Sequence, residues 1–202
     1  MASTLLSLAK GVVQQELYLI YIKSIKKSSV LYIFTGNGKG KTTAALGQAL
    51  RAVGEGKRVL MVQFIKGPWK SGEDFLASAL EPNFRLVKKG KGFVGIMGDS
   101  LPREEHRDAA EDALAYAAHE ARSGNWDLII LDEANNAVHL DLLAKEDLIE
   151  FVKGAKDKVE HLIITGRDAA PGLMDMADLV TEMRDIKHPY NKGIKGTCGL
   201  EY

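Results

Sequence analysis

A glycine- and lysine-rich run is the part of this sequence best suited to chemistry, and it directly follows the apolar residues 30–34. Its residues, in order, are Gly36, Asn37, Gly38, Lys39, Gly40, Lys41, Thr42 and Thr43. Glycines let backbone N–H groups turn toward phosphate oxygens, and a helix that follows directs its positive end at the anion. We therefore predict a phosphate-binding loop, in which Lys41 adds a fixed positive charge and the Thr42 hydroxyl ligates Mg²⁺.

The spacing of this loop differs from the usual one, in which four residues separate the first glycine from Gly-Lys-Ser/Thr. Here only residues 37–39 separate Gly36 from Gly40. A surface turn is the alternative interpretation. However, a strand pattern precedes the loop, and apolar residues recur at helical spacing from Ala45 to Val53 after it. The short loop indicates that a triphosphate is not held here as an ordinary ATPase holds it.

Two acids end an apolar run elsewhere in the chain. Asp132 and Glu133 follow residues 128–131, which read Leu-Ile-Ile-Leu. Mg²⁺ prefers oxygen ligands and keeps several waters, so one or two carboxylates and the phosphates suffice to hold it. The pair therefore predicts a Mg²⁺ site opposite the phosphate loop. Glu133 has a second possible role, the activation of an attacking water, which keeps ATP hydrolysis open.

Further cations are predicted to face the same phosphates. Lys39 lies beside Lys41 in the loop, and Arg167 follows the apolar residues 162–164. Positive charge at these positions would stabilise negative charge that develops on a leaving polyphosphate. For Lys39 the alternative is an ordinary solvated loop charge.

A glycine-rich segment at residues 89–98 is too rich in glycine for a helix and too apolar for a simple solvated loop. It is predicted to be a lid that places Phe93, Ile96 and Met97 over a ligand, or else a packed loop that covers the sheet. Trp69 is a second aromatic expected at the same end. Both aromatics suit a ligand larger than a nucleotide.

The elements that position these residues alternate between strand and helix. Strands are predicted at residues 30–35, 58–64, 83–88, 126–132, 160–165 and 178–184. Several contain near-continuous apolar runs, at residues 59–62, 128–131 and 162–164, which fit strands buried on both faces of a parallel sheet. Helices are predicted after the phosphate loop and from near Ser71, where Ser71 and Asp74 have the spacing of a capping box. A long helix is predicted after Ser100, with Pro102 in its first turn, as far as Arg122. Two more are predicted over residues 145–153, ended by Gly154, and over residues 172–177. This is a doubly wound α/β fold with a mainly parallel sheet of about six strands, in which ligands bind beyond the carboxyl ends of the strands.

Composition excludes several classes of protein. The 202 residues carry 27 basic and 27 acidic side chains, so no generally basic nucleic-acid-binding surface is expected. A single cysteine, Cys198, excludes an intrachain disulfide and fits a reducing compartment such as the cytoplasm. The five histidines are scattered, which argues against a zinc site.

The N-terminal extension, residues 1–29, is distinct from the rest. Its two apolar patches are interrupted by charges and glutamines, so neither a membrane span nor a signal peptide is expected. It is either an amphipathic helix that packs on this or a neighbouring subunit or a poorly ordered extension.

Taken together, the motifs resemble those of one family. The matching segments are residues 34–45, 62–67, 131–133, 164–167, 177–184, 187–190 and 199–202. They occur in order over nearly all of residues 30–202. The chain resembles the P-loop ATP:corrinoid adenosyltransferases, also called cob(I)alamin adenosyltransferases, of which the shortened loop is a trait. The resemblance implies a P-loop (RecA-like) domain over residues 30–202 and an N-terminal segment that covers a subunit's active site.

The resemblance also implies a reaction. A corrinoid cobalt reduced to Co(I) attacks the 5′ carbon of ATP, and triphosphate leaves. Residues 36–43 would hold the triphosphate of an ATP bound in reversed orientation, with Asn37 also touching the ribose. Thr42, Glu133 and Asp132 would place Mg²⁺, and Arg167 would contact the nucleotide.

On the corrinoid side, Phe93 lies where the family has an aromatic that displaces the lower axial ligand of cobalt. Some members have a tryptophan two residues later, where this chain has Gly95. A homodimer and a flavoprotein reductant are also implied. Two alternatives stay open: a P-loop ATPase or kinase that uses Glu133 or Asp132, and a non-catalytic nucleotide switch or corrinoid carrier.

Overall fold

Six strands form one sheet in the computed structural model, which describes residues 29–96 and 98–200. The strands are β1 (Val30–Thr35), β2 (Val59–Gln63), β3 (Phe84–Lys88), β4 (Leu128–Asp132), β5 (His161–Thr165) and β6 (Leu179–Glu182). Every pairing is parallel, and the order across the sheet is β3-β2-β4-β5-β1-β6. Strands β2 and β4 are buried at every position, as expected for parallel strands covered on both faces. The predicted sheet is confirmed.

Helices connect the strands and cover the sheet. They are α1 (Lys41–Gly54), α2 (Gly72–Ala79), α3 (Arg103–Arg122), α4 (Ala134–His139), α5 (Lys145–Ala155), α6 (Pro171–Met174) and a 3₁₀ helix (Pro189–Lys192). The capping box predicted at the start of α2 is present, with Ser71 and Asp74 bonded to each other's backbone N–H groups.

Four details of the helix prediction were wrong. Pro102 precedes α3 as its N-cap instead of lying in its first turn. Gly154 does not end α5, because the helix continues to Ala155, whose methyl group is buried in the core. The last helix spans Pro171–Met174 and stops short of Ala177. The short helix α4 was not predicted.

Two apolar cores lie on opposite faces of the sheet. One contains Ile33 of β1 together with alanines of α3, such as Ala113 and Ala117. The other contains Phe34 of β1 together with Ala45 of α1. Adjacent residues of a strand point to opposite faces, so one strand supplies both cores. The small alanine side chains let these helices pack closely on the sheet.

The parallel sheet gathers the predicted site at one edge, because all its strands end there. Strand β4 lies between β2 and β5, so Asp132 at its end has Gln63 as its register partner on β2. No helix in the described part of the chain is long and apolar enough to cross a bilayer. Of the predicted extension 1–29, residues 1–28 lie outside the described residues.

Candidate active site

The phosphate loop has the backbone geometry that its glycines predict. Gly40 adopts φ 116°, a left-handed conformation that favours glycine, and it caps the start of α1. The Lys41 ammonium lies across the loop, where its Nζ donates hydrogen bonds of 2.7 Å to the carbonyl oxygens of Gly36 and Gly38. Burial and, after it, the positive charge of Arg167 lower the pKa of Lys41, and the charges of Glu133 and Asp132 oppose this effect. The loop therefore holds its lysine among both cations and carboxylates.

The first half of the loop packs tightly against the chain that leaves β6. A Cβ atom on Gly36 would lie 2.4 Å from the carbonyl oxygen of Met183, and one on Gly38 would lie 2.7 Å from the backbone of Arg184. The Gly38 N–H donates a 2.7 Å hydrogen bond to the same Met183 oxygen. These two glycines thus serve close backbone packing, and the Gly38 N–H is directed to protein rather than toward a ligand.

Asp132 is the buried anchor of the site. Its carboxylate is fully inaccessible to solvent. One oxygen, Oδ1, accepts hydrogen bonds from the hydroxyls of Thr42 at 2.9 Å and Thr165 at 2.7 Å. The other, Oδ2, accepts one from the Gln63 side-chain amide at 3.0 Å and lies 3.7 Å from the ammonium of Lys66. The predicted pairing of the phosphate loop with Asp132 is therefore direct, through Thr42.

Glu133, which follows Asp132, has a strained backbone conformation. Its φ of 63° lies in the left-handed region, where a non-glycine residue is uncommon. Its N–H donates a 2.9 Å hydrogen bond to the Thr165 hydroxyl, which helps to fix this conformation. Burial and the negative charge of Asp132 raise the pKa of the Glu133 carboxyl to about 7.

These residues fit a divalent cation. No group of three or more His, Cys, Asp or Glu side chains arranged for a metal occurs within the described residues. Mg²⁺ does not need one, since a hydroxyl, one or two carboxylates, phosphates and waters complete its shell. Thr42 and Asp132 are hydrogen-bonded to each other beside the loop. Glu133 adds a second carboxyl, whose pKa is raised by burial and, after it, by the negative charge of Asp132. A cation there would relieve that repulsion.

The two other predicted cations lie further out. Arg167 is exposed, and its backbone N–H donates a 2.7 Å hydrogen bond to the side-chain oxygen of Asn136 on α4. The positive charge of Arg167 acts to lower the pKa of Lys41 and that of Glu133. The Lys39 ammonium instead hydrogen-bonds the carbonyl oxygen of Leu200 in the C-terminal tail. Lys39 thus links the loop to the tail.

An aromatic pair stands at the same edge of the sheet. Trp69 and Phe93 stack with ring centroids 6.3 Å apart, and they are 62% and 50% exposed. Glycines permit this arrangement, since a Cβ on Gly92 would lie 2.7 Å from the Trp69 ring and one on Gly90 would lie 2.2 Å from the backbone of Ile65. An exposed stack of this size is suited to contact with a large apolar ligand.

The carboxylate of Asp99 holds the C-terminal end of the glycine-rich segment 89–98. Asp99 accepts hydrogen bonds from the N–H groups of Gly95 at 2.7 Å and Leu101 at 3.1 Å, and it lies 3.1 Å from Nε2 of the buried His106. Ile96 is exposed, while Met97 lies outside the described residues. The choice between a lid and a packed loop stays a prediction.

Sequence reasoning gave no role to several residues that the structure brings to Asp132. Thr165 and Gln63 hydrogen-bond its carboxylate, and Lys66 and Glu73 complete a chain of contacts behind Gln63. The available signal was positional, because Gln63 and Thr165 are polar residues that end buried strands. Glu73 lies in the first turn of α2 and carried no such signal.

Comparison with known proteins decides the family. The family model described as ATP:corrinoid adenosyltransferase BtuR/CobO/CobP matches residues 27–202. The chain belongs to this family. The resemblance drawn from the motifs is thereby confirmed, and the match includes every residue of the site described above.

Individual corrinoid adenosyltransferases are similar to this chain over most of their length. A corrinoid adenosyltransferase of Escherichia coli strain K12 is 36% identical over 173 residues, which cover 86% of this chain and 85% of that protein. Corrinoid adenosyltransferase CobA of Salmonella typhimurium strain LT2 is 36% identical over 177 residues, or 88% and 87% of the two chains. A corrinoid adenosyltransferase of Pseudomonas aeruginosa is 35% identical over 173 residues, or 86% and 83%.

Proposed function

We propose that this protein transfers the 5′-deoxyadenosyl group of ATP to the Co(I) centre of a corrinoid and releases triphosphate. The observation that carries the proposal is the family match over residues 27–202, which spans the phosphate loop, the buried carboxylate and the aromatic pair. In this reaction the cobalt electron pair forms the bond to the 5′ carbon. The bond from that carbon to the triphosphate oxygen breaks, and its electron pair leaves with the triphosphate.

The loop residues supply the charge that this leaving group requires. Lys41 is anchored at the centre of the loop by two carbonyl oxygens, so its ammonium needs little reorganisation to meet phosphate oxygens. Arg167 is exposed on the neighbouring strand exit and adds a second cation for the nucleotide. The Lys39 ammonium also binds the triphosphate once it leaves the carbonyl oxygen of Leu200. Asn37 is exposed in the loop and contacts the ribose.

The carboxylate residues hold the metal that accompanies ATP. Thr42, Asp132 and Glu133 would bind Mg²⁺, either directly or through its waters. When bound, Mg²⁺ neutralises negative charge on the triphosphate as it leaves. Asp132 also orients the Thr42 hydroxyl through their 2.9 Å hydrogen bond, and the Thr165 hydroxyl helps to fix Asp132 by donating to the same oxygen.

The aromatic pair would receive the corrinoid. Phe93 and Trp69 present exposed rings at the edge of the sheet where the phosphate loop opens. We assign to Phe93 the displacement of the lower axial ligand of cobalt, and to Trp69 the support of Phe93 through their stacking. Position 95 is glycine, so no second aromatic ring assists there.

Several properties of the protein complete the proposal. Residues 30–202 form the catalytic domain, and residues 1–29 cover the active site of a subunit in a homodimer. A flavoprotein supplies the electron that produces Co(I). The single cysteine, Cys198, is free and exposed, which suits the reducing cytoplasm.

An anaerobic assay tests this function against its alternatives. Chemically reduced cob(I)alamin, ATP and Mg²⁺ are mixed with the protein, and the visible spectrum and the phosphate products are followed together. The proposal requires a light-sensitive alkylcobalamin and a stoichiometric amount of triphosphate. Inorganic phosphate without alkylation would indicate a hydrolase. ATP binding without either product would indicate a switch or carrier.

A further inference from the structure

A chain of charged and polar side chains runs from α2 to the buried Asp132. The Glu73 carboxylate accepts a 2.6 Å hydrogen bond from the Lys66 ammonium and a 3.3 Å hydrogen bond from the Gln63 amide. The same amide donates to Asp132 at 3.0 Å. Gln63 is fully buried and the Glu73 side chain is 9% exposed, so the contacts of Gln63 are shielded from solvent. The Lys66 side chain is 31% exposed, so its ammonium is partly open to solvent.

The Lys66 ammonium lies closer to the carboxylate of Glu73 than to that of Asp132. Its Nζ lies 2.6 Å from an oxygen of Glu73 and 3.7 Å from Oδ2 of Asp132. The first distance is a hydrogen-bonded ion pair, and the second is beyond a direct hydrogen bond. Glu73 therefore keeps the ammonium away from direct contact with Asp132.

The orientation of Gln63 is set by the same pair of acids. Both acids are acceptors, so the –NH₂ group of Gln63 must face them. Its carbonyl oxygen Oε1 is left buried with no hydrogen-bond partner among the described residues. An unpartnered buried oxygen is costly, which points to a donor such as a water that arrives with the bound ligand.

An ammonium and Mg²⁺ compete for a carboxylate, because each cation is attracted to the same oxygen atoms. Without the charge of Glu73, Lys66 would have Asp132 as its near anionic partner. A direct Lys66–Asp132 hydrogen bond would then occupy Oδ2 and reduce the negative charge that Asp132 offers to a metal.

We propose that Glu73 is a positioning residue for the metal site, because it tethers Lys66 and orients Gln63 so that Asp132 stays available to Mg²⁺. This inference rests on the proposed function, which makes Mg²⁺ and ATP ligands of this edge of the sheet. Glu73 itself touches neither the phosphate loop nor Asp132 in the described contacts; it acts through Lys66 and Gln63.

The test is the gain in ATP affinity that Mg²⁺ provides, measured by calorimetry on the full chain with ATP alone and with ATP and Mg²⁺. Glu73→Gln should reduce this gain roughly tenfold or more, as the loss of a residue that orients a metal ligand typically does. Affinity for ATP without metal should stay within about twofold, since the phosphate loop is unchanged.

A neighbouring ion pair provides the matched control. Asp74 follows Glu73 on α2 and pairs with Lys88 at 2.6 Å, the same distance as the Lys66–Glu73 pair. No described contact links Asp74 to Asp132. Asp74→Asn should therefore keep the full Mg²⁺-dependent gain, even if it lowers the stability of α2.

A double variant separates this role from a general loss of structure. When Lys66 is replaced as well, in Lys66→Met/Glu73→Gln, no ammonium is left to move to Asp132, and most of the gain should return. The inference is overturned if Glu73→Gln keeps the wild-type gain, if the double variant is no better than the single one, or if affinity falls equally with and without metal. Failure of the proposed function would appear separately, as a wild type that does not alkylate cobalamin.

Discussion

Replacement of Glu73 by glutamine should change how the stability of this protein depends on pH. Burial opposes ionisation of the Glu73 carboxyl, but the hydrogen bond and charge of Lys66 outweigh it, and the pKa falls from 4.5 to about 2. A carboxyl with a lowered pKa in the folded state contributes stability that is complete above its unfolded pKa. That contribution is lost as the pH falls from about 4.5 toward about 2.

The magnitude follows from the size of that difference. At about 1.4 kcal/mol for each pKa unit, the difference between 4.5 and about 2 corresponds to roughly 3 kcal/mol. Lys66 is 31% exposed, so solvent weakens its pairing with Glu73 and the measured value should be smaller, about 1–2 kcal/mol. At about pH 7 the wild type should exceed Glu73→Gln by this amount in free energy of unfolding.

Urea unfolding followed by circular dichroism at several pH values measures this difference. The advantage of the wild type should fall by about half by pH ~3 and continue to fall below it. Glu146→Gln is the control, because Glu146 is an exposed acid on α5, away from this network. A difference between wild type and Glu73→Gln that is the same at all pH values would refute the electrostatic reasoning and leave only a packing effect.

Four other outcomes are expected. Lys41→Ala should lower the rate of triphosphate release by at least about 10²-fold, because a fixed charge on the leaving group is lost; a near-normal rate would remove Lys41 from that role. Phe93→Ala should spare the reaction of pre-reduced Co(I) but slow the reaction that starts from Co(II) with a reductant, and equal effects on both would contradict its part in cobalt activation. Thr165→Val should cost about 1–3 kcal/mol in thermal unfolding, since buried Asp132 loses a donor; an unchanged melting temperature would show that water replaces the hydroxyl. Gly154→Ala should raise the free energy of unfolding by up to about 1 kcal/mol, because glycine in a helix loses more conformational freedom on folding than alanine. The added Cβ has room, since outside the neighbouring backbone of α5 no atom would lie within 4 Å of it. A loss of stability would indicate that α5 needs glycine there.

The sequence predicted the parts of this molecule that depend on local pattern. All six strands lie within the segments predicted as strands, and the glycine-rich composition located the turn between β1 and α1. The capping box at Ser71 and Asp74 was likewise visible, because its two residues lie three apart. Each of these features is determined by residues close together in the chain.

The network behind Asp132 could not be predicted in the same way. It depends on strand order, which places β2 beside β4 and so pairs Gln63 with Asp132. Acids are also common in the first turn of a helix, where they complement the helix dipole, so Glu73 in α2 did not stand out. Gly154 misled the prediction because glycine often ends helices. Here the helix α5 continues to Ala155, since Phe151, Val152 and Ala155 are buried on its inner face.

The position of β1 within the sheet has a consequence for how the protein is made. β1 carries the phosphate loop, yet its two neighbours are β5 and β6, and the loop glycines rest on Met183 and Arg184. Synthesis proceeds from the N-terminus, so the loop leaves the ribosome long before the strands that support it. A nascent chain that ends before β5 contains the complete loop sequence with neither flanking strand. The loop therefore reaches its supported conformation only after β5 and β6 have been synthesised, more than a hundred residues after the loop itself.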